Sequence, residues 1–432
     1  MKAASPESGA EGLGDQRGPG RPWWPQERIA GLVNRHRQAV AVVAIMASLA
    51  FLIPRLDAPM QGDVRLYQKI AVDTAHGKMP YRDRIFEYPP YAIPLFQAPS
   101  LTGKGNYLES FMVFVLAGDV LVKMMLISIG FRHGCGARSI LPLAGYCAAM
   151  PFLGYFYLQR FDIFPALACL AVVWLACSEK YFLGGLGLAA GIGVKLYPVL
   201  WALPLFVLAY RQGKSRQFLI GLSGGLLPIA LLGFFLPWWR FAEFQSARGI
   251  HVESLWASLI WLWKLLGQTE LHWASVQGKW TEVHGPLAIT ILPWARGVFL
   301  LSVLVSVLVS AWAAARCRRL SIGRTARILL VPILAFVVFN QVFSPQYLIW
   351  LLPLTAVSCL EGSAWSLLAI LSAVMLTPIL IPALHYGLFD TTVLLARNLL
   401  LVGAWGALVR EIFGFAAPDS PKLLAQSSGG VV

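Results

Sequence analysis

One acidic residue follows the first long apolar run of the chain and precedes a stretch rich in basic and aromatic residues. Asp63 lies in Met60-Gln61-Gly62-Asp63-Val64-Arg65-Leu66-Tyr67, within about ten residues of that run. A carboxylate at a membrane surface can remove the proton from an attacking hydroxyl, and such general-base assistance contributes about 10²–10⁴-fold. Its place beside the apolar run favours Asp63 over the other nearby acids, which are Asp57, Asp73, Asp83 and Glu87.

Basic residues occur in the same outward-facing parts of the chain, where the usual orientation rule does not require them. A departing phosphate needs positive charge nearby, and two or three of these side chains would supply it. We expect the others to bind lipid head groups or to be solvated. The outward cations are Arg65, Lys69, Lys78, Arg82, Arg84, Arg160, Arg240, Arg248, Lys264, Lys279 and Arg296.

Composition indicates the environment in which this chemistry takes place. Of 432 residues, 57% are apolar and 13% are charged, whereas soluble domains carry about 25% charged residues. Many runs approach the ~20 apolar residues that span a bilayer, and the alternation expected of a β-barrel is absent. The net charge is +14. Much of it lies in short loops between spans, where it orients the protein in the membrane, so it does not indicate binding to nucleic acid. We therefore predict an all-α polytopic membrane protein that contacts membrane lipids and does not bind nucleic acid.

The apolar runs predict about twelve transmembrane helices, in one membrane domain over 38–410. A cytoplasmic, disordered tail precedes it over 1–37, and a cytoplasmic C-terminal tail follows over 411–432. Two long outer loops, 55–107 and 238–296, face the periplasmic or extracellular side of the cell membrane, because the short basic loops fall on the opposite side. The predicted spans are 38–54, 108–130, 139–158, 161–178, 181–195, 197–210, 217–237, 297–315, 326–343, 347–360, 364–382 and 390–410.

The second outer loop holds eight of the sixteen tryptophans. Tryptophan is typical of the membrane interface, and the apolar run Ser254 to Leu266 is typical of a helix lying along the membrane. Stacking of these rings on sugar is the alternative.

Four further segments combine polar groups with a membrane boundary. Lys195 follows a glycine-rich span and precedes Tyr197-Pro198, so it either serves the site or extends to the surface. Arg397 in the last span has the same two interpretations. Arg248 to Leu255 gathers Arg, His, Glu and Ser in a short outward stretch, and Ser344-Pro345-Gln346-Tyr347 begins a span at the outer side.

The sequence lacks the motifs that are typical of several other kinds of enzyme. No Asp-x-Asp or Walker sequence occurs, which disfavours a nucleotide-sugar enzyme of the soluble, metal-dependent kind and a P-loop enzyme. The seven histidines lack metal-ligand spacing, and the six cysteines contain no CxxC pair. We predict no bound metal and no cofactor.

Together these segments resemble the polytopic GT-C glycosyltransferases, and specifically glycosyltransferase family 87. The resemblance covers roughly 38–410. It rests on the order and shared membrane face of the segments 63–67, Gly77 to Tyr81, Tyr88-Pro89-Pro90, Lys195 to Pro198, Arg248 to Leu255, Ser344 to Tyr347, and Arg397-Asn398.

The resemblance implies a hexosyltransferase with a GT-C fold. Its donor is a polyprenyl-phosphate sugar, usually mannose, and its acceptor a lipid or glycan. It implies inversion at the anomeric carbon, Asp63 as catalytic base, and no metal. The candidate substrate-binding residues are Arg65, Tyr67, Tyr81, Tyr88, Lys195, Tyr197, Arg248, His251, Glu253, Gln346, Tyr347 and Arg397.

One segment departs from the family pattern, in which mycobacterial members carry a histidine after the Ser-Pro pair. Here the sequence continues Gln346-Tyr347-Leu348-Ile349-Trp350, so the acceptor stays open. Two alternatives also stay open. A transporter or flippase of a lipid-linked sugar would use the same basic and aromatic cavity without a base, and a lipid-linked polysaccharide ligase or polymerase would use a polyprenyl diphosphate donor.

Overall fold

The computed structural model shows a helical protein with one small hairpin. It describes residues 35–416 apart from 58, 61, 84–85, 103–105, 135, 268–269, 271, 277–279, 318–320, 362–363 and 381–386. The predicted tail over 1–37 lies almost wholly outside these residues. The predicted C-terminal tail also lies largely outside them, although the last helix continues to Ala416.

Helices account for most of the described chain. They are α1 (Arg37–Leu52), α2 (Gly62–Ala75), α3 (Ala92–Gln97), α4 (Tyr107–His133), α5 (Leu141–Ala149), α6 (Tyr155–Leu158), α7 (Ile163–Cys177), α8 (Tyr181–Val194), α9 (Ala202–Arg211), α10 (Ser215–Leu232), α11 (Arg240–Ser246), α12 (Leu255–Leu265), α13 (Pro286–Arg316), α14 (Ile322–Phe339), α15 (Leu348–Ser358), α16 (Trp365–Leu380) and α17 (Leu388–Ala416).

Five described helices, α4, α10, α13, α14 and α17, are long and apolar enough to cross a membrane. The prediction of a multi-pass helical membrane protein is confirmed, whereas the number of twelve spans stays a prediction. Several predicted spans are short helices joined by turns of 3-10 helix, such as Met150–Leu153 and Tyr197–Trp201.

The centre of the bundle is formed by α15, which is apolar on nearly all sides, and by α14, which is apolar beyond its first two turns. Every residue of α15 is buried, as are most residues of α14. A helix that is apolar all round belongs inside a larger bundle. In contrast, α10 and α13 leave large apolar side chains exposed, among them Leu231 and Leu300, which suits contact with lipid.

The first outer loop folds onto the bundle through aromatic packing. Tyr67, on the second turn of α2, stacks on Phe96 with ring centroids 4.3 Å apart and meets Phe161 edge to face at 5.5 Å. Tyr88 also meets Phe161 edge to face at 4.9 Å. Such pairs add about 0.5–1.5 kcal/mol beyond their buried area. They fix α2, and with it Asp63, against the start of α7.

The second outer loop contains two helices and an antiparallel hairpin of β1 (His272–Val276) and β2 (Trp280–His284). Its register pairs Trp273 with Val283. The preceding segment joins the hairpin, since the Val283 amide donates to the Ile250 carbonyl at 2.9 Å. The apolar run predicted over Ser254 to Leu266 is a helix, and the Ser254 hydroxyl caps it by accepting from the Ala257 amide at 3.1 Å. The sequence did not predict the hairpin.

The chain breaks sharply at Lys195, as its neighbours Tyr197 and Pro198 indicated. Helix α8 ends at Val194, and Lys195 has extended backbone angles of −154° and 137°. Only 12% of the Lys195 side chain is exposed, so it turns into the protein instead of extending to the surface.

Two glycines allow other groups to approach the helices closely. A Cβ at Gly193 would overlap the Tyr91 ring. The Tyr91 amide donates to the Gly193 carbonyl at 2.8 Å, and its hydroxyl donates to the Gly225 carbonyl at 2.6 Å. At Gly221, where α10 packs on α8, a Cβ would overlap the Phe182 carbonyl oxygen. Small residues commonly permit such close helix packing in membranes.

The contact at Gly221 gives a stability prediction with a control on the same helix. We expect Gly221→Ala to lower the unfolding free energy by about 1–3 kcal/mol, because the methyl group forces α8 and α10 apart. A Cβ at Gly224 meets nothing within 4 Å, so Gly224→Ala should be neutral or slightly stabilising. Thermal unfolding of both variants in detergent checks this, and equal melting temperatures would contradict it.

Candidate active site

A short segment between two apolar helices carries the principal charges of the site. Gly154, with a φ of 54°, makes a turn that favours glycine, and the four-residue helix α6 follows. The next residues are Gln159, Arg160, Phe161 and Asp162, before α7 begins at Ile163. All four are buried. The segment is therefore a charged insertion within apolar surroundings.

Arg160 connects the first outer loop to the start of α15. Its Nε lies 2.7 Å from Oδ2 of Asp63 and 2.6 Å from Oε1 of Gln346. The Asp63 side chain is 33% exposed, whereas that of Arg160 is 9% exposed. The bond from Arg160 to the Asp63 carboxylate is charge-assisted, which makes it short and strong. Asp63 is thus held in a place where solvent or substrate can reach its carboxylate.

Asp162 and Lys195 form a second ion pair beside the first. Lys195 Nζ lies 2.6 Å from Asp162 Oδ1, and Trp350 Nε1 donates to the same oxygen at 2.5 Å. The ammonium also lies 4.9 Å from the ring centroids of Phe161 and Trp350. Cation–π contacts of this kind are worth about 2 kcal/mol when desolvated. The pair carries no net charge, so Lys195 alone does not make this wall positive.

A cavity of about 460 Å³ is bordered by Lys195 of the second pair and by Gln346, which accepts a hydrogen bond from Arg160 of the first. Its polar wall includes Lys195, Arg248, Arg296 and Gln346, together with Tyr88 and Glu87 from the first outer loop. Its apolar wall is formed by Leu196, Phe241, Phe299, Leu300, Phe336 and Trp350. Leu300 is 65% exposed on the outer face of α13, so the apolar wall continues onto the surface of the bundle.

Arg296 fixes the position of the polar wall. Its guanidinium Nη2 donates to the Ser246 carbonyl at 2.9 Å and to the Arg248 carbonyl at 3.1 Å. Because both acceptors are backbone oxygens, these bonds leave the positive charge uncancelled. The side chains of Arg248 and Arg296 border the cavity together with the Glu87 carboxylate, so guanidinium donors that can hydrogen-bond to an anionic ligand lie at this end.

A separate buried cluster supports the second outer loop. Arg397 Nη1 lies 2.7 Å from Glu253 Oε2, and its Nη2 donates to the Glu253 carbonyl at 2.6 Å. The Arg397 guanidinium lies 4.2 Å from the Phe343 ring centroid. Burial lowers the pKa of His251 to about 3, with help from Arg248 and Arg397. A neutral His251 accepts a bond from the Glu253 amide at 3.3 Å.

Two tyrosines of the first outer loop, Tyr67 and Tyr88, remain protonated. Burial raises the pKa of Tyr67 and Tyr88 well above the usual value, and the negative charge of Asp63 adds to both shifts. Tyr81 donates its hydroxyl to the Tyr88 carbonyl at 2.5 Å. Tyr81 therefore shapes the loop, while Tyr88 borders the cavity.

The residues selected from the sequence fall into four groups. Those that border the cavity are Tyr88, Lys195, Tyr197, Arg248, Gln346 and Tyr347. Asp63 contacts this group through Arg160. Tyr67 and Tyr81 are buried behind it, and Arg65 is exposed on α2. His251, Glu253 and Arg397 lie together in the separate cluster, which is joined to the cavity wall by the bond from the His251 amide to the Gln341 carbonyl at 2.9 Å.

The sequence did not select Asp162 or Trp350, and it included Arg160 only among the outward cations. An ionisable residue at the start of an apolar run is itself a signal of function, and that signal could have found Asp162. Among the described residues, no group of three His, Cys, Asp or Glu side chains is arranged to hold a metal ion.

Three comparisons with known proteins give limited similarity. No family model matches the chain. GPI mannosyltransferase 1 of Eremothecium gossypii is 25% identical over 307 residues, which are 67% of this chain and 69% of that protein. ArnT from Cupriavidus metallidurans bound to undecaprenyl phosphate is 14% identical, with a TM-score of 0.45 over 91% of this chain and 81% of that chain. The apo form of ArnT is 12% identical, with a TM-score of 0.46 over 90% and 80%.

The arrangement combines three chemical capacities. Asp63 can accept a proton, and the Arg248 end can stabilise an anion. The apolar wall that includes Leu300 can hold a hydrocarbon. This combination suits displacement of a lipid-linked anionic group by a hydroxyl.

The buried pair of Asp162 and Lys195 gives a second stability prediction. We expect Asp162→Asn to lower the unfolding free energy by about 3–5 kcal/mol, because it leaves the Lys195 charge buried without its partner. The matched change Glu179→Gln removes a carboxylate from a solvent-accessible ion pair, in which the side chain of Glu179 is 55% exposed and that of Lys214 is 31% exposed. This change should cost less than about 1 kcal/mol. Chemical unfolding of both variants in detergent compares them. Equal losses would contradict the prediction.

Proposed function

We propose that the chain is a GT-C membrane glycosyltransferase of the family 87 kind. It transfers a hexose, mannose in our proposal, from a polyprenyl phosphate to a lipid-linked or glycan acceptor at the outer face of the cell membrane. The observation that carries the proposal is the cavity with one apolar and one cationic wall beside the Asp63–Arg160 pair. The name of the similar fungal protein, a mannosyltransferase, supports the choice of mannose.

Asp63 acts as general base in this proposal. It takes the proton of the acceptor hydroxyl while the acceptor oxygen forms a bond to the anomeric carbon of the sugar. The bond from that carbon to the phosphate oxygen breaks on the opposite side, so the configuration inverts and polyprenyl phosphate leaves. The 33% exposure of the Asp63 side chain lets the hydroxyl reach it, and Arg160 holds the carboxylate in place at 2.7 Å.

The departing phosphate is stabilised at the Arg248 end of the cavity. Asp162 neutralises Lys195 at 2.6 Å, so in this proposal the guanidinium groups of Arg248 and Arg296, which border the cavity, are the principal donors to the phosphate. Lys195 contributes hydrogen-bond donors to the same wall. Preorganised donors aimed at developing negative charge are commonly the largest catalytic term.

The polyprenyl tail follows the apolar wall out of the cavity. Phe299 and Leu300 occupy consecutive positions on α13, and Phe241 and Phe336 complete the wall. Because Leu300 is largely exposed on the outside of the bundle, a tail that leaves the cavity past it would enter the hydrocarbon of the bilayer. The sugar and phosphate would stay between the two outer loops.

The first functional test is the loss of the base. We expect Asp63→Asn to lower transfer of labelled mannose from polyprenyl-phosphate-mannose by about 10²–10⁴-fold, as general-base assistance of that size is removed. The measurement is label incorporated into lipid-linked and glycan products by purified protein in detergent or liposomes. Asp73→Asn is the matched control on the same helix, since Asp73 pairs with Lys78 at 3.2 Å and should keep nearly full activity.

Three results would count against this function. Full transfer by a folded Asp63→Asn protein would remove Asp63 from the mechanism. Activity only with a polyprenyl diphosphate donor would favour the ligase or polymerase. Movement of intact lipid-linked sugar across liposomes without transfer would favour the transporter.

The second functional test concerns the phosphate. We expect Arg248→Ala to reduce kcat/KM for the donor by about 10–100-fold, because a hydrogen bond to a charged group is worth about 1.5–3 kcal/mol. Arg240→Ala is the control, since Arg240 is exposed and pairs with Glu243 on the same short helix. Equal effects of the two variants would place the phosphate elsewhere.

A further inference from the structure

A fully buried polar cluster lies within the bundle, outside the cavity just described. We name it the Asp119 cluster, and its members are Ser48, Asp119, Lys123, Tyr146 and Tyr157. Each is at most 2% exposed. None of them borders the cavity, so the proposed reaction does not use them directly.

Asp119 is the centre of the cluster. Its Oδ2 lies 2.5 Å from Lys123 Nζ, one turn along α4, and Lys123 also donates to the Ser48 hydroxyl at 2.7 Å. Its Oδ1 accepts from the Tyr157 hydroxyl at 2.5 Å and from the Tyr146 hydroxyl at 2.9 Å. The two tyrosine hydroxyls contact each other as well. Both carboxylate oxygens are therefore satisfied.

The depth of the cluster is unusual for charged residues. Asp119 lies twelve positions after Tyr107, the first residue of α4, which corresponds to ~18 Å along the helix. Buried ion pairs are poor evidence of stability, since apolar residues in their place are often equally stable. Ionisable residues at such depth are functional hypotheses. A role in geometry explains the cluster better than a role in stability.

The connection to the active site is Tyr157. It lies three residues before Arg160, on the four-residue helix α6. The cluster holds this segment from the side of α4 and α5, and the Gln159 amide holds it by donating to the Pro59 carbonyl at 3.1 Å. Pro59 precedes Asp63 by four residues. The position of Arg160 relative to Asp63 thus depends on the bonds made by Tyr157 and Gln159.

We propose that Tyr157, held by the Asp119 carboxylate, is a positioning residue that sets Arg160 against Asp63. The inference rests on the proposed function of Asp63 as base. The charge of Lys123 makes the deep carboxylate tolerable, and Asp119 in turn is a strong acceptor because it is charged. Loss of the Tyr157 hydroxyl removes the anchor that precedes Arg160 in the 155–162 segment, and Arg160 then holds the Asp63 carboxylate in a less precise position.

Tyr146 supplies a matched control for this proposal. Both tyrosines donate to the same oxygen of Asp119, and both are fully buried. Tyr146 lies on α5 rather than on the segment that carries Arg160. Tyr157→Phe and Tyr146→Phe therefore each remove one hydroxyl group from the same cluster. Only Tyr157→Phe removes an anchor of the 155–162 segment.

The experiment compares kcat and KM for transfer of labelled mannose by wild type, Tyr157→Phe, Tyr146→Phe and Asp63→Asn. We expect Tyr157→Phe to lower kcat by at least about tenfold, since a misplacement of about 1 Å can cost 10²-fold. Its KM for the donor should stay close to that of the wild type, because none of the cluster residues borders the cavity. Tyr146→Phe should keep the wild-type kcat.

A second variant covers the case in which Tyr157→Phe does not fold. Asp119→Leu with Lys123→Met removes the acceptor together with its counter-charge, a replacement that is often neutral for stability. It should lower kcat as Tyr157→Phe does.

The outcomes separate the two proposals. An unchanged kcat in folded Tyr157→Phe or in the double variant, with Asp63→Asn inactive, would overturn the positioning role and leave the proposed function intact. Equal losses of kcat in both tyrosine variants would also overturn it, since loosening of the whole cluster would then suffice. An active Asp63→Asn protein would overturn the function itself.

Discussion

The four residues 159–162 are the part of the molecule on which the site depends, because buried charges must be paired. Alternate residues of this segment meet different partners. Arg160 meets Asp63 from the first outer loop, and Asp162 meets Lys195 from the end of α8. Each pairing satisfies a buried charge and at the same time joins two distant parts of the chain. Any movement of the segment would leave several charges unpaired, so the constraint also gives the site its rigidity.

The second outer loop is tied to the bundle by the same rule. Glu253 receives two bonds from Arg397, one to its carboxylate and one to its carbonyl. This pairing places Arg397 behind the cavity wall rather than in it. The cavity consequently lies beside two outer loops that are each anchored by an ion pair, Asp63–Arg160 in the first and Glu253–Arg397 in the second. Arg248 and Arg296 border its polar end.

Much of the architecture could be predicted from local patterns in the sequence, whereas the ion pairs of the site could not. Apolar runs predicted the helical membrane class, and the residues around Lys195 predicted the break there. Asp162 escaped notice because its partners, Lys195 and Trp350, lie 33 and 188 positions away, and periodicity carries no information at that distance. The hairpin of β1 and β2 escaped because its short strands lie between apolar helices in a tryptophan-rich loop. The role of Asp63 remains a prediction that its contact with Arg160 supports.

Tyr91 joins the first outer loop to two membrane helices by reaching the backbone carbonyls of Gly193 and Gly225. Its ring occupies the space that a side chain at position 193 would need. The two positions therefore constrain each other over evolutionary time. Among relatives that share this packing, an aromatic residue at 91 should accompany glycine at 193, and a lineage that gains a side chain at 193 should first lose the ring. Positions 91, in a loop, and 193, in a membrane helix, should therefore covary among such relatives.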